Sequence, residues 1–404
     1  MAEAYHRPQP LRRMGARAGM GAGVLAAMLL AGCQTIVPRG VPDRAPPRPR
    51  PGGVPDAPVT RPGSNLPVDA ERHRVALLVP MTGPNAAVGN AIANAANLAL
   101  IDSGTAKVRI TTYDTATGAA AAADRALADG SRLFLGPLLG EDVRVVSAAA
   151  RAAKVPVIAF SNDATVAGNG TYLMGFSPAQ SIARVVDYAR SKGMTRFAGL
   201  VPTGAYGRTA SAMLIRAAEA AGGSVVAMQT FDRSPASLKA AVGRFGRDQR
   251  YDAVLIADGG RIAVQAVPLL KRTASPAAKI LGTELWATDN AVRTGGVLNG
   301  AWYASVPDAM YRQLGRRYQA RYGRAPYRLA SLGYDAVLLT VRISANWRVG
   351  TAFPERMLID RDGFGGVDGA FRFGRDGIAQ RMLEVNQVAA GTPVVVSGAG
   401  TGFE

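Results

Sequence analysis

Apolar runs that stop at proline or glycine alternate with small-residue helical stretches along most of this chain, and no other feature constrains the fold as much. "RVALLVP" (Arg74–Pro80) is continuous apolar sequence ended by proline, the composition of a strand buried on both faces. Gly83-Pro84 then opens a helix that carries Val88, Ile92, Ala95 and Ala99 on one face, the spacing that packs on a sheet. "VRITTYD" (Val108–Asp114) is the next strand, and "AAAADRALADG" (Ala120–Gly130) is a helix closed by glycine. "RLFLGP" (Arg132–Pro137) and "VPVIAFS" (Val155–Ser161) are strands flanking a helix around Val143 to Ala153. A βαβαβαβ order requires parallel strands joined by right-handed crossovers.

The rhythm then restarts. Ile182, Val185, Val186 and Ala189 fall at helical spacing, followed by the strand "RFAGLVP" (Arg196–Pro202) and the helix Tyr206–Gly223. "SVVAMQTF" (Ser224–Phe231), "YDAVLIAD" (Tyr251–Asp258) and "KILGTE" (Lys279–Glu284) are further strands, the last two around a helix. Two doubly wound α/β halves in one chain predict two lobes with a cleft between them. Open α/β sheets bind ligands beyond the carboxyl ends of their strands, so both lobes would present loops to that cleft.

The first 72 residues read differently. Arg12, Arg13 and Arg17 precede the apolar run "GMGAGVLAAMLL" (Gly19–Leu30), and small residues then lead to Cys33, the chain's one cysteine. That order is a secretory signal, and the run is about half the ~20 residues of a spanning helix. Leu30-Ala31-Gly32-Cys33 resembles the bacterial lipobox, which implies acylation of Cys33 and an anchor in the membrane. A buried cysteine in an N-terminal helix is the competing reading. Gln34, where inner-membrane retention would use aspartate, favours the outer membrane. From Val37 to Pro67 dense, non-periodic proline with interspersed arginine makes a semi-extended tether rather than a fold. The expected parts are thus a leader at 1–32, an acylated cysteine with its tether at 33–72, and a two-lobed domain at 73–404.

Catalysis is not expected. His6 lies in the leader, so His73 is the one histidine left, at the tether's end, and the single cysteine is taken by the lipobox. No Ser-His-Asp or Cys-His set can be built from that, and no G-x-S-x-G, Walker loop or H-E-x-x-H occurs. "DRDGFGGVDG" (Asp360–Gly369) faintly echoes a calcium loop without its spacing or terminal glutamate and reads as a turn. Glu141-Asp142 reads as helix-start acids rather than an acid–base pair. No metal or cofactor is expected. The chain carries 47 Lys+Arg against 29 Asp+Glu, a formal +18, falling to about +15 without residues 1–32. Scattered arginines, the lack of a Cys/His finger and the export signal argue against nucleic acid, leaving anionic lipid or cell-wall carboxylates as counter-charges.

Four phrases carry a family resemblance: "VALLVPMTGPNAAVGNAIANAANLAL", "GAYGRTA", "LASLGYDAVLL" and "GFGGVDGAFRFGRDGIAQRMLEVNQV". Residues 74 to about 391 resemble the type I periplasmic-binding fold of leucine-binding proteins. Within that superfamily, "FLGPLLGEDVRVV", "VPVIAFSND" and "GFSPAQSIARVVDYARSKG" are most similar to penicillin-binding protein activator lipoproteins. Better-known activators carry a helical-repeat domain before the binding fold, whereas this chain has the proline tether there.

The resemblance implies two lobes joined by three crossovers, near Gly175–Lys192, Leu298–Pro307 and Ala345–Phe353. It implies ligand contacts from Ser161 and Asn162, a tyrosine stacked on the ligand at Tyr206, and an ammonium-binding carboxylate at Glu284. Two usual hydroxyl positions depart from the pattern, appearing as Gly140 and Asp163, and Asp163 would repel a ligand carboxylate. The implied function is non-catalytic activation of a peptidoglycan synthase, a penicillin-binding protein. The alternative is a solute-binding receptor of an ABC-type amino-acid transporter, taking a small amino-acid-like ligand.

Overall fold

The computed structural model describes residues 69–246, 249–294 and 296–403. They belong to one compact unit, Val59–Glu404. The leader, Cys33 and the tether as far as residue 68 lie outside the described residues.

Lobe 1 begins as the apolar pattern dictates, with β1 (His73–Val79), α1 (Ala86–Ser103), β2 (Val108–Asp114), α2 (Ala119–Ala128), β3 (Phe134–Leu135), α3 (Gly140–Ala152), β4 (Val157–Ala159) and β5 (Thr171–Leu173). Its five strands run parallel in the order β2-β1-β3-β4-β5. Val75 to Val79 are buried without a break, because helices cover both sheet faces. Glu141 and Asp142 occupy the first turn of α3, where the helix dipole favours acids.

Lobe 2 repeats the plan with α4 (Pro178–Ser191), β6 (Arg196–Pro202), α5 (Ala205–Ala220), β7 (Ser224–Phe231), α6 (Pro235–Gly243), β8 (Ala253–Ile256), α7 (Gly260–Leu270), β9 (Lys279–Gly282), α8 (Asn290–Arg293) and β10 (Trp302–Ser305). Pro178 opens α4 at a position where its missing N–H costs nothing, and Ile182, Val185, Val186 and Ala189 bury against the sheet. The chain then returns to lobe 1 as α9 (Ala309–Tyr322) and α10 (Ala330–Ser344), which pack on α1. Tyr322 donates to the Asn94 carbonyl at 2.9 Å, fastening α9 to α1. A small antiparallel sheet follows, β11 (Phe364–Gly366), β12 (Gly369–Phe373) and β13 (Ala379–Arg381), with Phe364, Phe371 and Phe373 in the lobe 1 core. Finally β14 (Glu384–Gln387) and β15 (Val394–Ser397) complete the lobe 2 sheet, ordered β15-β14-β10-β9-β8-β6-β7. Those last two strands pair antiparallel, so the sheet is mostly rather than wholly parallel.

Three segments pass between the lobes. Residues 174–177 lead from β5 to α4, and 306–308 lead from β10 to α9, each overlapping one end of an expected stretch. The third passage is at 382–383, between β13 and β14, and not at Ala345–Phe353. That stretch is held in lobe 1 by its aromatics. Trp347 stacks on His73 with centroids 3.7 Å apart and meets Phe353 edge-on at 5.0 Å. His73 is the buried first residue of β1, with Nε2 3.0 Å from the Trp347 carbonyl oxygen.

Candidate functional site

The passages between the lobes frame a cavity of about 520 Å³, within the range that holds a drug-sized ligand. Its walls come from both lobes and from all three crossovers. Leu138, Leu139, Phe160 and Leu329 make apolar surface on the lobe 1 side and Leu285 on the other, with Val306 from the second crossover. Phe176 and Leu383 come from the first and third crossovers.

Ser161 and Asn162 follow β4 and line this cavity. Their backbone is held by a close approach: a Cβ on Gly175, at the first crossover, would collide with the Ser161 carbonyl. The Ser161 hydroxyl oxygen accepts from the Asp163 amide at 3.1 Å, which leaves its proton free to donate. Asp163 itself is not among the cavity walls. Its carboxylate accepts from the Thr165 hydroxyl at 2.6 Å and pairs with Arg144 at 2.8 Å. The Thr165 hydrogen bond and the Arg144 charge hold its pKa below the ordinary value. Repulsion of a ligand by Asp163, expected from its place in the chain, is thus answered by a local ion pair. Gly140 packs beneath it, where a Cβ would lie 2.9 Å from the Asp163 Oδ2.

Glu284 reaches the same cavity from lobe 2, at the start of the short 3₁₀ turn Glu284–Trp286 after β9. Trp286 anchors that turn: it is 1% exposed and donates from Nε1 to the Asp258 carbonyl at 2.8 Å. Tyr206, at the start of α5, packs into the lobe 2 core and does not line the cavity. Its hydroxyl lies 3.1 Å from both Glu284 Oε1 and Thr283 Oγ1. Tyr206 therefore stands behind Glu284 and aims it. Glu284 Oε2 is buried without a hydrogen-bond partner, and the neighbouring Ser181 spends its proton on the Ala304 carbonyl at 2.8 Å. Burial pushes the Glu284 carboxyl up to about 7, and burial followed by the Glu284 charge pushes the Tyr206 hydroxyl up as well.

Because the folded carboxyl titrates above its unfolded value, native protein binds the extra proton between those two pKa values. Its contribution to stability is full below pH 4.5 and is lost as pH rises through about 7. Glu284→Gln cannot titrate. Urea unfolding at pH 5 and pH 8 should show it gaining on the wild type with rising pH, by up to about 3 kcal/mol. Parallel pH profiles for the two proteins would contradict this placement of the carboxyl.

The structure thus gathers Ser161, Asn162 and Glu284 around one cavity and puts Tyr206 one layer behind. Two groups escaped sequence reasoning, Arg328 and Arg381, which also line it. Arg381 is the last residue of β13, 8% exposed, beside the third crossover. Nothing in "AQRML" marks it, because its burial depends on strands that pair only after the chain has crossed twice. Asp360–Gly369 forms a turn and the β11–β12 hairpin, with Asp368 fully buried and paired to Arg328 at 2.7 Å. No group of three acidic, histidine or cysteine side chains among the described residues is placed to hold a metal.

Comparison with known proteins agrees with this architecture. A Rickettsia prowazekii protein known as uncharacterized protein RP748 is 25% identical over 170 residues, 42% of this chain and 46% of that protein. The chain therefore matches a little under half the length of that relative. Among solved structures, a putative branched-chain amino acid ABC transporter protein from Rhodospirillum rubrum superposes with a TM-score of 0.69 at 20% identity, covering 80% of this chain and 100% of the other. A solute binding protein of an ABC transporter from Rhodopseudomonas palustris BisB5, in complex with 3,4-dihydroxy benzoic acid, gives 0.62 at 20% identity over 82% and 99% of the two chains. Full-length LpoA from Haemophilus influenzae gives 0.64 at 17% identity, covering 81% of this chain and 60% of the other. At such identities the likeness shows the fold. The periplasmic binding protein family profile matches residues 73–353, well over half of the chain, and the chain belongs to that family of binding proteins.

Proposed function

We propose that this chain is a lipid-anchored, non-catalytic activator of a peptidoglycan synthase, held at the outer membrane through Cys33 and facing the periplasm. The observation that carries this reading is the fate of the loops after β3 and β4. Where the resemblance implies a hydroxyl cradle for an amino-acid carboxylate, Gly140 packs on Asp163 and Asp163 is spent on Arg144 and Thr165. A transport receptor would lose half its grip by that change, while a scaffold for a protein partner loses nothing. The activator would bind the synthase's active conformation more tightly than its resting one and so shift the population. A proline-rich tether of some thirty residues, at about 3 Å each, would let the domain reach an enzyme anchored in the opposite membrane.

Capture of the full-length protein from crosslinked cell envelopes tests this, with Cys33→Ala as the mislocalised control. A bifunctional penicillin-binding protein should be recovered with the wild type and be depleted with the control. Recovery of permease subunits without a synthase would sink the proposal. That outcome would favour a second reading, a solute-binding receptor of an ABC-type amino-acid transporter closing about its hinge. One observation favours that reading: Ser161, Asn162 and Glu284 share a single cavity of ligand size.

A further inference from the structure

Between Asp308 and Asp335 the chain has no acidic residue, while Arg312, Arg316, Arg317, Arg321, Arg324 and Arg328 all fall in that interval. All of these but Arg328 are exposed. α9 has a fixed inner side: Leu314 and Tyr318 are buried in the lobe 1 core, and Asn94 of α1 donates to the Tyr318 hydroxyl at 3.2 Å. The arginines are therefore held on the outward side. Two of them are answered. Arg312 pairs with Asp308 at 3.3 Å, and Arg317 with Asp102 at 2.9 Å. Among the described residues Arg316, Arg321 and Arg324 form no ion pair, and Arg321 only lies over the Tyr322 ring, 5.9 Å from its centre.

Like charges four apart on a helix repel, and α9 holds two such pairs, Arg312/Arg316 and Arg317/Arg321. The row thus works against the helix that carries it, and a negatively charged surface would turn that repulsion into attraction. Apolar groups accompany the row. Met310, in the first turn of α9, is 51% exposed, and Tyr327 is 50% exposed. The Tyr311 hydroxyl donates to the Pro326 carbonyl at 3.3 Å, which brings the chain next to Tyr327 back against that turn. Basic side chains with an exposed methionine and tyrosine among them suit a helix lying in a headgroup layer, its guanidinium groups on phosphates. An acidic protein would instead present carboxylates at fixed points and favour arginines fixed to match. The three free arginines are spread over about 12 Å of helix axis with no acid holding them.

We propose that the outward face of α9 docks lobe 1 on an anionic phospholipid surface, with Arg316, Arg321 and Arg324 on lipid phosphates and Met310 and Tyr327 among the headgroups. The inference holds under either reading of the function and does not need acylation of Cys33. It fixes which side of the domain meets a bilayer, which neither reading specifies. An anchored chain would then rest against the membrane in one orientation instead of turning freely on its tether.

The test is amide hydrogen exchange of the full chain, alone and with vesicles of phosphatidylcholine or of phosphatidylcholine with roughly 30% phosphatidylglycerol. With the anionic vesicles only, exchange across residues 309–324 should slow at least about fivefold, the worth of one charge at such a surface. Raising the salt from about 50 to about 500 mM should remove most of that protection. The triple variant Arg316→Gln, Arg321→Gln, Arg324→Gln should fold and lose the protection. Arg208→Gln, Arg216→Gln, Arg261→Gln makes the same change in net charge at exposed, unpaired arginines of lobe 2 and should be protected like the wild type. If the first triple variant fails to fold, the lipid and salt series on the wild type still decides. Equal protection by both kinds of vesicle, no protection by either, or equal losses in the two triple variants would overturn the proposal. So would equal protection of the same residues by poly-glutamate at matched charge, which would assign the face to an acidic protein.

Discussion

Trp286→Ala should lower the stability of the domain by about 3–5 kcal/mol in urea unfolding, the usual cost of deleting a fully buried large aromatic. The indole is 1% exposed, belongs to the lobe 2 core, and covers Gly282, where any side chain would collide with its rings. Its Nε1 also satisfies the Asp258 carbonyl two residues beyond β8. The loss has a second consequence at the site. Glu284 is two residues away on the same short turn, so a turn released from its anchor lets the carboxylate reach water. The stability difference between pH 5 and pH 8 should therefore shrink in Trp286→Ala as it does in Glu284→Gln. A loss under 1 kcal/mol with an unchanged pH profile would contradict this role.

Gly207→Val should cost about 3 kcal/mol, at the upper end of overpacking penalties. Gly207 sits in the first turn of α5, and a Cβ there would fall inside the carbonyl of Pro202 at the end of β6. Backbone on both sides leaves little to relax except the seating of α5 on its strand. Lobe 1 repeats the arrangement, with Gly89 of α1 against the carbonyl of Pro80 beyond β1. Gly243→Val is the matched control: at that glycine, the last residue of α6, an added Cβ would meet nothing within 4 Å, and the change should alter stability by less than about 1 kcal/mol. Unfolding of the two variants side by side separates close approach from a general intolerance of glycine replacement.

Those two strand-to-helix corners also show what was legible in the sequence. "LLVP" and "GLVP" each follow an uninterrupted apolar run, and each is followed by a helix whose apolar stripe has period 3.6, so the paired α/β halves could be read directly. Short elements could not. β5 has three residues and carries no alternation, and β11 to β13 are three to five residues long, with glycine at the ends of the first two. Their existence depends on partners distant in the chain, as when β5 meets Ile378 through Leu173. The third crossover, which the resemblance implied at Ala345–Phe353, lies instead at 382–383 between two such short strands, while Trp347 and Phe353 pin the expected stretch to lobe 1.

The site divides in the same way. Ser161, Asn162 and Glu284 follow strand ends, where the doubly wound rule directs attention, and all three line the cavity. Tyr206 also follows a strand end, yet its ring turns into the lobe 2 core and only its hydroxyl meets Glu284. Asp163 looks like a ligand-facing charge until Arg144, nineteen residues earlier on α3, is seen to take it. Arg381 gives no local signal because Met174, Phe176 and Gln180, some two hundred residues earlier, help assemble its surroundings.

The most direct measurement is glycan polymerisation by a purified bifunctional penicillin-binding protein from the same cells, with and without the purified full-length chain. A several-fold rise in rate that saturates with added protein is the expected result. An unchanged rate, together with no detectable association between the two proteins, would contradict the activator function.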